Sequence, residues 1–304
     1  MRSPSWADTW GHDEFGLWAG FVIGDVEQRM RLIPDGKYQI GSPETERGRY
    51  DDESLHEAKL EAYWMAETPV TQALYAAVTG DSPNWNGSTR VPWSCLDRPV
   101  EQVSWEDAER FCGRVEELRP GLHLRLPSEA EWETACRGGK VDATYFGDLD
   151  DPGFQSNVVD RLGWYGGNSM KGFELESGLD FRGLWKGREG MFPPPGLAGT
   201  HPVRRKAANA LGFYDMLGNV WEWCSDLWEA GAGGDERASE RVVRGGSWID
   251  PARRCRSACR LGRVASDRSG DMGFRVSRGL AESVAVRDDA KRELPPSFSS
   301  RQRG

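Results

Sequence analysis

Histidine is scarce in this chain: four residues, His12, His56, His123 and His201, lie far apart in 304 positions. Isolated histidines are usually surface or hydrogen-bonded groups, so a histidine-built iron centre is not expected. The six cysteines, Cys95, Cys112, Cys136, Cys224, Cys255 and Cys259, include no CxxC pair. That spacing excludes a zinc ribbon and a dense disulfide framework, leaving reduced, mostly buried thiols as the expectation. Cys112 and Cys136 fall at apolar positions of expected helices and read as packing residues. No apolar run approaches the roughly 18 residues of a membrane span, and no charged-then-apolar leader opens the chain, so a location off the membrane, in the cytoplasm, is expected. Walker loops, dinucleotide fingerprints and nucleophile elbows are missing too, and the abundant glycines read as turn residues.

The chain does contain 14 Trp, 37 Gly and 17 Pro, with 38% hydrophobic residues. This composition describes a loop-rich fold held by aromatic anchors rather than by long amphipathic helices. A net charge of −9 argues against nucleic acid as a partner, because phosphate neutralisation needs an excess of cations. One segment reverses the sign: positions 241–278 hold ten Arg against three Asp, with no Lys or Glu, a net charge of +7. Arginine forks there either satisfy buried carbonyls and carboxylates or present a cationic face to an acidic ligand.

Residues 1–28 read as an ordered, strand-forming leader packed on a main domain of residues 29–279, and residues 280–304 as a mobile tail. A strand, a turn at Pro34, Asp35 and Gly36, and a second strand open the domain. Three helices are expected: one from Thr71 to Gly80, one opened by Ser104 with Asp107, and one opened by Ser128 with Glu131 and ended at Gly138 and Gly139. After Gly139 loops and short strands should dominate. The carboxylates of the stretch from Gly41 to Glu57 read as a solvated loop.

Several motifs run in a characteristic order: GSPETE from Gly41, TPVTQALY from Thr68, RPVEQVSWEDA from Arg98, RLPSEAEWETACRGG from Arg125, LGFYDMLGNVWEWCSD from Leu211, RGGSW from Arg244 and GFRV from Gly273. Together, from about Met30 to Val276, they resemble the formylglycine-generating enzyme (sulfatase-modifying factor) family. The resemblance implies an irregular, loop-rich α+β fold with low regular secondary structure, an elaborated C-type-lectin-like domain whose second half builds a ligand cleft. Residues 168–201 separate two motifs that relatives join more directly, and read as a surface insertion.

The resemblance also implies a reaction, oxidation of a peptide cysteine to formylglycine by O2 at copper held by two thiolates. Family enzymes carry those thiols two and seven positions past the aromatic residue of GGSY or GGSW. Here the corresponding residues are Asp250 and Cys255, and a carboxylate beside one soft sulfur is a poor Cu(I) pair, so copper is not expected. Cys259 does not match a copper position. A structural calcium ion is implied near GNVWEW, on Asn219, a backbone carbonyl such as that of Val220, and Glu222. The alternative is that Asn219 shapes a turn and Glu222 pairs with an arginine.

The same fold displays the diversified segment of variable proteins from diversity-generating retroelements, and Ile249 to Met272 occupies the matching position. The reading is therefore a binding member of the family that takes a peptide or protein ligand, of acidic character, on Trp248, Asp250, Arg253, Arg254, Cys255, Arg256 and Cys259. The alternative is a formylglycine-generating or other O2-dependent oxidase with Cys255 as its catalytic residue.

Overall fold

The computed structural model describes residues 3–81, 96–174, 178–180, 196–228 and 240–280. Side-chain caps set the helices. Thr71 accepts from the Leu74 amide to begin α1 (Gln72–Thr79), and Gly80 ends it in the left-handed region. Ser104 and Asp107 form a reciprocal capping box at α2 (Trp105–Leu118), and Ser128 and Glu131 form another at α3 (Glu129–Arg137). Each box satisfies two otherwise orphaned N–H groups. A fourth helix, α4 (Asn157–Leu162), was not expected; Ser156 caps it, and Asp150 accepts from the Ser156 hydroxyl and the Asn157 amide.

The strands are β1 (Thr9–Asp13), β2 (Gly16–Ile23), β3 (Val26–Ile33), β4 (Gly36–Ile40), β5 (His56–Leu60), β6 (Tyr63–Ala66), β7 (Leu179–Asp180), β8 (Leu197–Ala198), β9 (Trp221–Leu227), β10 (Glu240–Arg244), β11 (Arg260–Val264), β12 (Met272–Gly273) and β13 (Ser277–Gly279). An antiparallel sheet runs β1-β2-β3-β6-β13, and a second runs β11-β10-β9-β12 with β12 parallel to β9. The stretch read as a leader supplies β1 and β2 of the first sheet. The Pro34–Asp35 turn lies between two strands as expected, yet it is not a hairpin: β3 pairs with β2 and β6, while β4 pairs with β5. Proline at the turn removes a ladder donor where the chain changes sheets.

One core joins the first sheet to α1 and α2, with Ala19, Met30 and Ala66 facing Tyr75, Phe111 and Phe274. Tyr75 and Phe111 stack at 5.6 Å, and Phe274 meets Phe111 edge-on at 5.2 Å. A second core surrounds Trp132 of α3 and contains Cys136, Cys224 and Cys255. Cys112 and Cys136 are buried as packing residues. Arg244, Arg256 and Arg275 rank among the largest fully buried side chains, so part of the interior is ionic. No described helix is long and apolar enough to cross a membrane. The tail after Leu280, Cys95 and much of the expected insertion lie outside the described residues.

Candidate functional site

After β10 the chain turns through Gly245 (φ 101°) and Gly246 (φ 72°). A Cβ on Gly246 would stand 2.8 Å from the Cys255 Sγ, so the left-handed turn and the close sulfur both require glycine. The turn delivers Ser247, Trp248 and Asp250 to one place. The buried Asp250 carboxylate accepts from the Trp221 indole Nε1 at 2.7 Å and the Ser247 hydroxyl at 2.6 Å on Oδ2, and from Arg254 at 2.9 Å on Oδ1. Burial pushes its carboxyl pKa up, opposed by Ser247 and Arg254. A short turn at Ala252–Arg254 brings Arg254 back onto Asp250.

Cys255 and Cys259 are fully buried free thiols in separate apolar clusters. Burial, then Asp250 and Cys259, raise the Cys255 pKa far above the usual thiol range, and burial pushes Cys259 up to about 12. Both thiols are thus favoured over their thiolates by burial. With its carboxylate partner already bound by three donors, Cys255 does not fit a two-ligand Cu(I) site.

The arginines of the segment turn mostly inward, so of the two readings the fork that satisfies buried carbonyls and carboxylates describes most of them. Arg256 is 0% exposed and pairs with Glu53 and Glu46. Arg253 donates to the carbonyls of Gly48 and Arg49 and lies 4.0 Å over the Tyr50 ring. The loop read as solvated is thus clasped onto the segment, because the buried Arg256 guanidinium needs carboxylates and Glu46 and Glu53 supply them. Arg244 pairs with Glu133, Arg260 with Glu129, Arg268 with Asp107 and Arg275 with Glu222. At the site itself, Arg254 keeps its side chain 39% exposed.

Trp248 donates its indole N–H to the Gly270 carbonyl. Beside it, Ala198, Met170, Leu179 and Ile249 form an apolar cluster, so both ends of the expected insertion border the site. Of the seven expected site residues, the structure leaves Arg253 and Arg254 partly exposed and buries Trp248, Asp250, Cys255, Arg256 and Cys259. Sequence reasoning missed four participants. Ser247 and Trp221 stood within quoted motifs, whereas Asp271, 3.5 Å from the Ser247 hydroxyl, and Tyr50, beneath the Arg253 guanidinium, carried no local signal.

The GNVWEW loop forms a different centre. The Glu222 carboxylate accepts two bonds from Arg275, at 2.6 and 2.7 Å, and one from the Trp132 indole at 2.7 Å. Asn219, at φ 65°, accepts from the His201 amide and donates to the His201 carbonyl and to Asp215. An ion on this set would have to displace Arg275 and the His201 amide, so Asn219, Val220 and Glu222 do not fit calcium in this arrangement. The pattern matches the alternative of a turn asparagine and an arginine pair. His201 stacks on Trp164 at 3.7 Å, and burial lowers its pKa to about 4. Among the described residues, no three His, Cys, Asp or Glu side chains converge as a metal site.

Comparison with known proteins gives a consistent picture. The family model described as "Sulfatase-modifying factor enzyme 1-like domain" matches residues 24–280. Inactive C-alpha-formylglycine-generating enzyme 2 of Bos taurus is 35% identical over 190 residues, covering 60% of this chain and 51% of that protein. Formylglycine-generating enzyme of Mus musculus is 29% identical over 255 residues, covering 77% and 59%. The chain thus spans about half the length of the curated relatives it matches. Treponema denticola variable protein 1 superposes with a TM-score of 0.63 at 28% identity, covering 86% of this chain and 98% of that one. PvdO from Pseudomonas aeruginosa, at TM-score 0.64 and 24% identity with 86% and 98% covered, shares the fold.

Proposed function

This chain belongs to the sulfatase-modifying factor enzyme 1-like family, and from that membership we propose that it binds a peptide or protein ligand and does not oxidise one. The observation that carries this reading is Asp250. It stands where the resemblance implies the first copper thiol, and its carboxylate is consumed by Trp221, Ser247 and Arg254. Cu(I) favours soft thiolates, and a hard oxygen tied to three donors offers it neither charge nor an open position. Relatives named as inactive enzymes, 35% and 36% identical, support the same direction.

On this reading Trp248, Arg253 and Arg254 meet the ligand, while Asp250, Cys255, Arg256 and Cys259 support them from behind. A diversified scaffold could vary Val264 and residues 266–268, which are exposed, but not the buried run 255–259. The oxidase reading retains one favourable observation, the presence of Cys255 beside Asp250.

Anaerobic Cu(I) titration of the reduced chain against a competing chelator, with Cys255→Ser alongside, separates the two. We expect no stoichiometric binding in either protein. Tight binding that disappears in Cys255→Ser would overturn the binding-only reading in favour of the oxidase.

A further inference from the structure

We propose that Arg254 is a carboxylate-reading subsite, held in place by Asp250, and that it selects ligand segments presenting an acidic group next to an apolar side chain. This inference rests on the ligand-binding reading above and names the ligand's chemistry.

The guanidiniums differ in what they have left to offer. Arg256 and Arg275 are 0% exposed and engage carboxylates on more than one nitrogen. Arg253 gives its Nε and one Nη to backbone carbonyls. Arg254 differs in holding one carboxylate oxygen, Asp250 Oδ1, from Nη1, with 39% of its side chain in solvent. A guanidinium carries five N–H donors in a rigid fork, so an exposed edge remains for a bidentate carboxylate. Its holder is not free to move: Asp250 is itself fixed by Trp221 and Ser247. Such preorganisation reduces the entropy lost on binding.

The surroundings define the rest of the ligand. Ile249 directly precedes Asp250 and packs with Met170 and Leu179 around Trp248 and Ala198. This partly exposed apolar wall suits a neighbouring aliphatic side chain. The nearby acid, Asp271, approaches Ser247 on the Oδ2 side of Asp250, whereas Arg254 occupies Oδ1, so the two charges meet a ligand at different positions. The ligand's acidic group can be an Asp or Glu side chain or a C-terminal carboxylate; the chemistry read by the guanidinium is the same.

The test is to pan a random nonapeptide display library against the whole chain and against Arg254→Gln, then resynthesise the enriched peptides with Glu or Gln at the acidic position and with free or amidated C-termini. We expect enrichment of acidic residues flanked by aliphatic ones, a preference for Glu over Gln of about tenfold or more, and loss of that preference in Arg254→Gln. Arg268→Gln, altered at the distant pair with Asp107, should keep it. Asp250→Asn, which removes the charge that holds Arg254, should lower the Glu-to-Gln ratio, and Asp250→Glu should restore part of it. Activity confined to free C-termini would assign the terminal carboxylate as the group read. Enriched peptides without acid, insensitive to Arg254→Gln but lost in Ile249→Asp, would overturn the carboxylate subsite and leave the binding reading intact. No enrichment over the bare matrix would overturn both.

Discussion

Two carboxylates in this molecule are built into the same chemical unit and put to different ends. Glu222 and Asp250 each accept from a tryptophan indole at 2.7 Å and from an arginine. Around Glu222 the arginine is wholly enclosed, and it also donates to the carbonyls of Ala66 and Tyr214. Around Asp250 the arginine stands at the rim with 39% of its side chain in solvent. The enclosed unit ties three chain segments together and leaves nothing for a ligand. The open one uses its buried half to aim its exposed half. Burial of the guanidinium, more than the choice of residues, therefore separates a structural joint from the recognition element proposed here.

The largest effect should come from neutralising the two arginines in parallel. Arg275→Gln leaves Glu222 buried without its cation, and we expect a loss of about 3–5 kcal/mol. Arg254→Gln leaves the buried Asp250 its Trp221 and Ser247 donors beside a rim open to water, and should cost less, about 1–3 kcal/mol. Urea unfolding of both variants measures the contrast; equal losses would break it. Next in size, Trp132→Phe and Trp221→Phe each withdraw one indole donor, a change worth about 1–3 kcal/mol when the acceptor stays dry. The cost should be greater at Trp132, because solvent near Arg254 can reach the Asp250 side, and thermal melts of the two variants would show the order.

The smallest expected effect concerns pH. Asp215 lies in the enclosed region, and burial pushes its pKa up to about 6 from an ordinary 3.8. The folded chain holds that proton more tightly than the unfolded one, so the contribution to stability is present below about pH 4 and is lost as pH rises through about 6. Asp215→Asn, which keeps an acceptor for the Arg204 amide, should gain stability relative to the unsubstituted chain between pH 5 and pH 8. A constant difference across that range would show that Asp215 does not titrate there.

Local chemistry made much of the fold legible. The capping boxes at Ser104 and Ser128 and the terminal Gly80 and Gly138 are contacts within four or five positions, and all three helices follow from them. The fourth helix depends on Asp150, six residues before its cap forms, and was missed. The motif resemblance pointed to the family and to Trp248, Asp250 and Arg254 as neighbours. It did not reveal which charges were already spent. Ten arginines in a short span look cationic until Glu46, Glu53, Glu129 and Glu133, all far away in sequence, are folded onto them. Tyr50 is similarly a product of tertiary closure, for nothing near it in sequence marks its contact with Arg253.

The clasp that holds the loop around Tyr50 has a temporal consequence. Arg253 reaches the Gly48 carbonyl across 205 positions, and Arg256 reaches Glu53 and Glu46 across 203 and 210. The first sheet likewise gains its last strand only when β13 arrives beside β6. Contacts of such separation close late, after the entropy of a very long loop has been overcome. During synthesis, the acidic loop and the edge of β6 must wait on the ribosome until nearly the whole domain has emerged, and the setting of Arg253 and Arg254 comes into being in the same step.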